Sequence, residues 1–185
     1  MKRKKKIILV CHCILNSNSK VEGLSQYEGV FKEFLNIIAD KGIGIIQLPC
    51  PEMIMYGIKR WGQVKEQYDN LFYRQQCRRL LEPIIQQVKN YIDFGYEIVG
   101  IVGIDGSPSC GVNFTCSGNY GGEIIDSSQV AEILESLKLV NGSGVFIEEL
   151  KKYLKEVDLE IPFYSINEND VYSSLDDIIQ KIWAT

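Results

Sequence analysis

Three continuous apolar runs constrain the fold of this chain more than any other feature of the sequence. They cover residues 6–13 (KIILVCHC), 43–48 (IGIIQL) and 96–104 (YEIVGIVGI). Runs of this length without regular polar alternation are typical of strands that are buried on both faces of a parallel sheet. The sequence therefore predicts a parallel sheet with other elements packed against both faces.

Apolar residues at helical spacing predict helices at about 30–42, 73–94, 145–156 and 173–183. A further short apolar segment predicts a fourth strand at 161–166. Pro83 predicts a local distortion in the longest helix. The alternation of strands and helices predicts a single α/β domain over residues 1–185, with one open, mostly parallel sheet flanked by helices in a Rossmann-like or flavodoxin-like three-layer arrangement.

Length and charge narrow the class of protein. A chain of 185 residues with 45% hydrophobic content can bury the core of one domain. Its net charge of −4 argues against a nucleic-acid surface, and we interpret the basic run at 2–6 as a solvated flank. The apolar runs are too short to cross a bilayer. We therefore expect a cytoplasmic protein without nucleic-acid or membrane partners, and the sequence leaves its oligomeric state open.

The six cysteines point to chemistry, because disulfides are rare in the cytoplasm. Cys13, Cys50 and Cys110 each follow one of the first three predicted strands. Ligands of open α/β sheets bind beyond the carboxyl ends of the strands, so these thiols are expected to converge. Thiolates select zinc, copper(I) or iron–sulfur clusters, and the spacing alone does not choose among them. Three protein ligands with one open position would form a catalytic metal centre.

The sequence gives less reason to assign the remaining cysteines and the single histidine as metal ligands. Strand alternation places Cys11 on the same face as Cys13 but deeper, which favours a core residue, and it turns His12 to the other face, which favours packing. Cys77 lies on the long predicted helix and is interpreted as a bystander. Cys116 has three open interpretations, namely an extra ligand, a sulfur-handling thiol or an ordinary loop cysteine.

Three motifs occur in a fixed order, Cys13-Ile14-Leu15-Asn16, Cys50-Pro51-Glu52 and Ser107-Pro108-Ser109-Cys110-Gly111. In this order they resemble the 2-thiouracil desulfurase family, and the resemblance runs from about residue 7 to 115. It implies a [4Fe-4S] cluster held by Cys13, Cys50 and Cys110, with the fourth iron free of protein ligands. Residues 16–20 and 53–61 differ from the usual family sequence. The resemblance therefore implies cluster binding more strongly than it implies the substrate.

The resemblance implies a non-redox desulfurase that removes sulfide from a small thiolated compound such as a thiopyrimidine. Glu52 would lie beside the cluster and activate water, and its alternative role is a carboxylate at a helix N-terminus. Ser107 and Ser109 would hydrogen-bond the substrate or the cluster, and their alternative role is to cap the loop. Two other functions stay open. One is a sulfur carrier or transferase that uses Cys116, and the other is a non-enzymatic binding module for zinc or an iron–sulfur cluster.

Overall fold

A computed structural model describes residues 2–183 of the chain. Within these residues the strands are β1 (Lys6–Val10), β2 (Gly44–Gln47), β3 (Glu97–Ile104), β4 (Phe114–Ser117), β5 (Lys138–Asn141) and β6 (Phe163–Ile166). Four of them form a parallel sheet in the order β2-β1-β3-β6, and β4 pairs with β5 in a separate antiparallel ribbon.

Helices occupy most of the connections between the strands. The α-helices are α1 (His12–Leu15), α2 (Lys32–Asp40), α3 (Pro51–Tyr56), α4 (Lys65–Tyr68), α5 (Leu71–Asp93), α6 (Ser127–Ser136), α7 (Val145–Glu156) and α8 (Val171–Trp183), and a 3₁₀ helix spans Ser17–Ser19. The open parallel sheet with flanking helices confirms the predicted three-layer α/β architecture.

The apolar runs form the centre of the sheet because their side chains are buried on both faces. Ile8, Leu9 and Val10 of β1 are fully buried, as are Ile101 and Val102 of β3. Burial of this kind supplies most of the favourable free energy of folding. Among residues 2–183, no helix combines the length and the apolar character needed to cross a membrane.

Some local predictions were wrong. The first strand ends at Val10 rather than Cys13, because the chain turns into the short helix α1 at His12. The direction of Cys13 therefore follows a helical turn and not strand alternation. Strand β4, which follows the Cys110 loop, was not predicted, and α5 includes Pro83, where the sequence predicts a local distortion.

The carboxyl ends of the four parallel strands lie at one edge of the sheet, which we call the carboxyl edge. Cys13 follows β1, Cys50 follows β2, Cys110 follows β3 and Glu168 follows β6. Strands that are central and parallel thus deliver chemistry-bearing loops to the same edge.

Candidate metal centre

Cys13 is held by the helical turn that follows β1. It lies in α1 and stays partly exposed, and its backbone carbonyl accepts a hydrogen bond of 2.9 Å from the Tyr27 hydroxyl. Ile14, the next residue, is fully buried and anchors the turn to the core. The position of Cys13 is therefore fixed by one buried neighbour and one tyrosine.

Cys50 is the N-cap residue of α3. Pro51 occupies the first helical position, where its fixed backbone angle favours helix initiation. The Cys50 sulfur accepts a hydrogen bond of 3.4 Å from the backbone amide of Met53. The Cys-Pro-Glu motif is thus a helix start that points a thiol toward the carboxyl edge and gives its sulfur a donor.

Cys110 lies in a loop whose backbone is organised by side chains. The Ser107 hydroxyl accepts hydrogen bonds from the amides of Cys110 (2.9 Å) and Ser109 (3.3 Å). The Asp105 carboxylate accepts hydrogen bonds from the amides of Val112, Asn113 and Phe114. Ser107 therefore makes the local capping contacts that its alternative role required, and Asp105 fixes the end of the loop.

The same loop is bound to the start of α7. The amide of Val145 donates to the carbonyl of Pro108 (3.0 Å), and the amide of Phe146 donates to the carbonyl of Ser109 (3.1 Å). A Cβ on Gly144 would lie 2.4 Å from the carbonyl carbon of Ser109, so this close approach requires glycine. Helix α7 is thereby a rigid support for the Cys110 loop.

The structure brings the three predicted thiols into one interacting group. Burial raises the pKa of Cys13 well above its ordinary value, and the neighbouring Cys110 and Cys50 thiols raise it further. Burial and the Cys110 thiol raise the pKa of Cys50 to about 12. Lys20 lowers the pKa of Cys13 and Arg60 lowers that of Cys50, but burial outweighs both cations, and a bound metal group would supply the further positive charge that thiolates need.

Cys11 is a core residue, as predicted, but it also contacts Cys110, one of the three predicted ligands. Its side chain is fully buried and lies against that of Cys110. This contact, followed by burial, raises the pKa of Cys110 well above its ordinary value. Cys11 was expected to play no part in the centre, and the sequence pattern gave no sign of this contact.

Glu52 lies in the first turn of α3 and is 8% exposed. One of its carboxylate oxygens accepts a hydrogen bond from the Ser109 hydroxyl, and the other lies 3.2 Å from Nε of Arg60. The Ser109 hydroxyl also lies 3.7 Å from the sulfur of Cys110. Glu52, Ser109 and Cys110 therefore form a continuous chain of contacts from a buried carboxylate to a thiol.

Arg60 holds this carboxylate in place, and no sequence motif pointed to it. Its guanidinium also donates to the carbonyls of Ser19 (2.7 Å) and Gly57 (3.1 Å). The side chain is 4% exposed. A buried arginine eight residues after Glu52 is recognisable only from the folded chain, because the intervening turn at Gly57 brings it back.

Two buried tyrosines next to Glu52 leave their hydroxyls unpaired. Tyr68 and Tyr73 are fully buried with ring centroids 4.6 Å apart, and neither hydroxyl makes a hydrogen bond of normal geometry within residues 2–183. After burial, the charge of Glu52 is the largest contribution that raises the pKa of each. Both hydroxyls therefore lie close enough to Glu52 to interact with its charge.

Cys116 and His12 lie apart from the three predicted ligands. Cys116 is on β4, and the pKa of its thiol is raised by burial and then by Glu66 rather than by another cysteine. His12 is half-buried, with its Nδ1 atom 2.6 Å from Nε2 of Gln47. Among residues 2–183, no three His, Cys, Asp or Glu side chains converge on a position that holds one metal ion.

Comparison with known proteins gives the same family as the three motifs. The family model described as "Putative 2-thiouracil desulfurase" matches residues 5–156. The chain belongs to this family. A protein of Methanocaldococcus jannaschii, named Uncharacterized protein MJ0003, is 38% identical over 155 residues, which cover 82% of this chain and 98% of the relative. No solved structure matches the chain. The name of the 2-thiouracil desulfurase family indicates a desulfurase-type enzyme.

Proposed function

We propose that this protein hydrolyses the carbon–sulfur bond of a small thiolated compound with the help of a [4Fe-4S] cluster ligated by Cys13, Cys50 and Cys110. The observation that carries the proposal is that the thiols of Cys13, Cys50 and Cys110 raise one another's pKa at the carboxyl edge, where Cys110 contacts the Ser109–Glu52 pair. Membership of the 2-thiouracil desulfurase family supports it.

Three cysteine thiols are a donor set that an iron–sulfur cluster can use, because each thiolate binds one iron. Zinc takes thiolate ligands as well and is the alternative cofactor. We propose the cluster because the resemblance to the 2-thiouracil desulfurase family implies it.

A cluster held by Cys13, Cys50 and Cys110 would supply a Lewis-acidic iron without a protein ligand, with affinity for the departing sulfur. The reaction converts a thiocarbonyl and water into a carbonyl and hydrogen sulfide, so it needs no net electron transfer. The protein side chains must then accept a proton from the attacking water.

Ser109 and Glu52 are placed to accept that proton. The Ser109 hydroxyl faces the Cys110 sulfur on one side and donates to Glu52 on the other. In the proposed mechanism Ser109 takes the proton from water as it passes its own proton to Glu52, which acts as the general base. Arg60 keeps the carboxylate aimed at Ser109, and Ser107 fixes the backbone of the loop.

The test begins with anaerobic purification and reconstitution, followed by iron and sulfide analysis and an absorption spectrum. We expect about four irons and four sulfides per chain, and release of sulfide from 2-thiouracil with formation of uracil. Serine variants of Cys13, Cys50 and Cys110 should each lose iron. Wild-type protein that binds no cluster under these conditions would refute the proposal.

Cys116→Ser is the matched control for the ligand variants and also tests the carrier hypothesis. Because Cys116 is set apart from the other thiols, we expect unchanged iron content and unchanged sulfide release. Loss of sulfide release with full iron content would instead assign the sulfur-accepting role to Cys116.

A further inference from the structure

A second charged pair lies at the carboxyl edge, and the proposed mechanism does not use it. The Lys20 ammonium donates a hydrogen bond to the Glu168 carboxylate, although the two residues are 148 positions apart. Their side chains are only 10% and 17% exposed. Lys20 follows the 3₁₀ helix after β1, and Glu168 follows β6, so the pair joins two loops of this edge.

The pair lies close to the partly exposed ligand Cys13. The Lys20 ammonium is 5.1 Å from the ring centroid of Tyr27, whose hydroxyl donates to the Cys13 carbonyl. The charge of Lys20 lowers the pKa of the Cys13 thiol, against the larger effect of burial. Lys20, Glu168 and Tyr27 therefore form a polar group of side chains near Cys13, which is a partly exposed residue.

Stability alone does not account for this arrangement. A buried ion pair loses hydration of both charges, and the loss often equals the electrostatic gain. An ammonium has three donor hydrogens and a carboxylate has several acceptor positions. Among residues 2–183, Glu168 is the only hydrogen-bond acceptor of the Lys20 ammonium, so the ammonium keeps donor hydrogens and the carboxylate keeps acceptor positions for another partner near Cys13.

We propose that Lys20 and Glu168 recognise an N–H–C=O edge of the thiolated substrate. This inference rests on the proposed function and assigns the two residues that would distinguish thiolated compounds with such an edge from those without it. Lys20 donates a hydrogen bond to the carbonyl oxygen, and Glu168 accepts one from the adjacent N–H. Hydrogen bonds with charged partners in a water-poor site give strong discrimination against analogues that lack the partner atom.

A comparison of two substrates distinguishes recognition of the N–H–C=O edge from a general effect on activity. 2-Thiouracil carries the N–H–C=O edge, and pyrimidine-2-thione lacks the carbonyl group of that edge. We expect wild-type protein to prefer 2-thiouracil in kcat/KM. Lys20→Met should lower kcat/KM for 2-thiouracil about 10- to 100-fold and leave that for pyrimidine-2-thione nearly unchanged.

The double variant Lys20→Met/Glu168→Gln guards against misfolding, because it leaves neither charge buried without a partner. It should keep the iron and sulfide content of the wild type and show the same loss of preference. Lys181→Met, which removes the lysine of an exposed ion pair with Asp177, is the matched control. It should change neither the iron and sulfide content nor the substrate preference. A dissociation constant from absorption titration with 2-thiouracil gives a readout independent of turnover.

The outcomes distinguish the two proposals. Wild-type protein without sulfide release refutes the proposed function and the inference that rests on it. Wild-type release with an unchanged substrate preference in both Lys20 variants refutes the recognition role alone. Loss of iron in the Lys20 variants but not in Lys181→Met would also overturn it, because the pair would then serve the cluster and not the substrate.

Discussion

Replacing Arg60 with methionine tests whether the Glu52 carboxylate is held as a buried charge. The guanidinium lies 3.2 Å from Glu52, and the two side chains are 4% and 11% exposed. Methionine fills much of the same volume but removes the charge and the donors to Ser19 and Gly57. Removing one partner of a buried pair leaves the other charge uncompensated, which costs about 3–5 kcal/mol.

The assay is urea denaturation of the cluster-free protein, followed by far-UV circular dichroism. We expect Arg60→Met to lower the free energy of unfolding by that amount and to reduce sulfide release in the reconstituted protein. The double variant Arg60→Met/Glu52→Gln should recover most of the lost stability, because no unpaired charge remains.

Arg78→Met is the matched control for this prediction. Arg78 pairs with Glu156, but their side chains are 42% and 51% exposed, so solvent screens the interaction. We expect a far smaller effect on unfolding than for Arg60→Met. If the two variants destabilise the protein equally, or if the double variant recovers nothing, then Glu52 is not a buried charge that depends on Arg60.

Three further predictions address the loop, its support and the core. Ser109→Ala should destabilise the protein by about 1–3 kcal/mol, because one Glu52 oxygen loses its donor, and sulfide release should fall while iron content stays unchanged. Gly144→Ala should lower iron content after reconstitution, since an added Cβ would lie 2.5 Å from the Ser109 carbonyl oxygen; Gly62→Ala, where a Cβ meets nothing within 4 Å, should not. Burial raises the pKa of Cys77 above 9.0, so above pH 9 its thiol ionises in the unfolded chain alone and stability falls. At pH 10 this loss amounts to about 1.4 kcal/mol in urea denaturation, and Cys77→Ala should lack that part of the pH dependence.

The sequence predicted the sheet because the information is local. Each apolar run is long enough to specify a buried strand, and helical spacing marks most of the covering elements. The short helices α1, α3 and α4 were not predicted, because four to six residues contain too little of a helical period. The antiparallel ribbon of β4 and β5 was also missed, since α6 separates its two strands.

The centre was predictable to the extent that it follows from topology. Parallel strands bring their carboxyl ends together, so the sequence alone assigns Cys13, Cys50 and Cys110 to one edge. The contacts around them depend on side-chain packing between distant segments. Arg60 reaches Ser19 across 41 positions, and Cys11 meets Cys110 through the packing of β1 against the loop after β3.

In the two proposals, Glu52 and Arg60 form a catalytic side of the centre, and Lys20 and Glu168 form a recognition side. Glu52, Arg60 and Ser109 all lie within residues 5–156, the part of the chain that matches the 2-thiouracil desulfurase family. Glu168 lies beyond that match, yet it binds Lys20 in the loop that follows Cys13. The same loop joins the two sides, because the carbonyl of Ser19 binds Arg60 while the neighbouring Lys20 binds Glu168. If the proposed roles hold, we expect changes after residue 156 to alter which thiolated compound is bound without moving the proposed cluster ligands or the proposed proton acceptor.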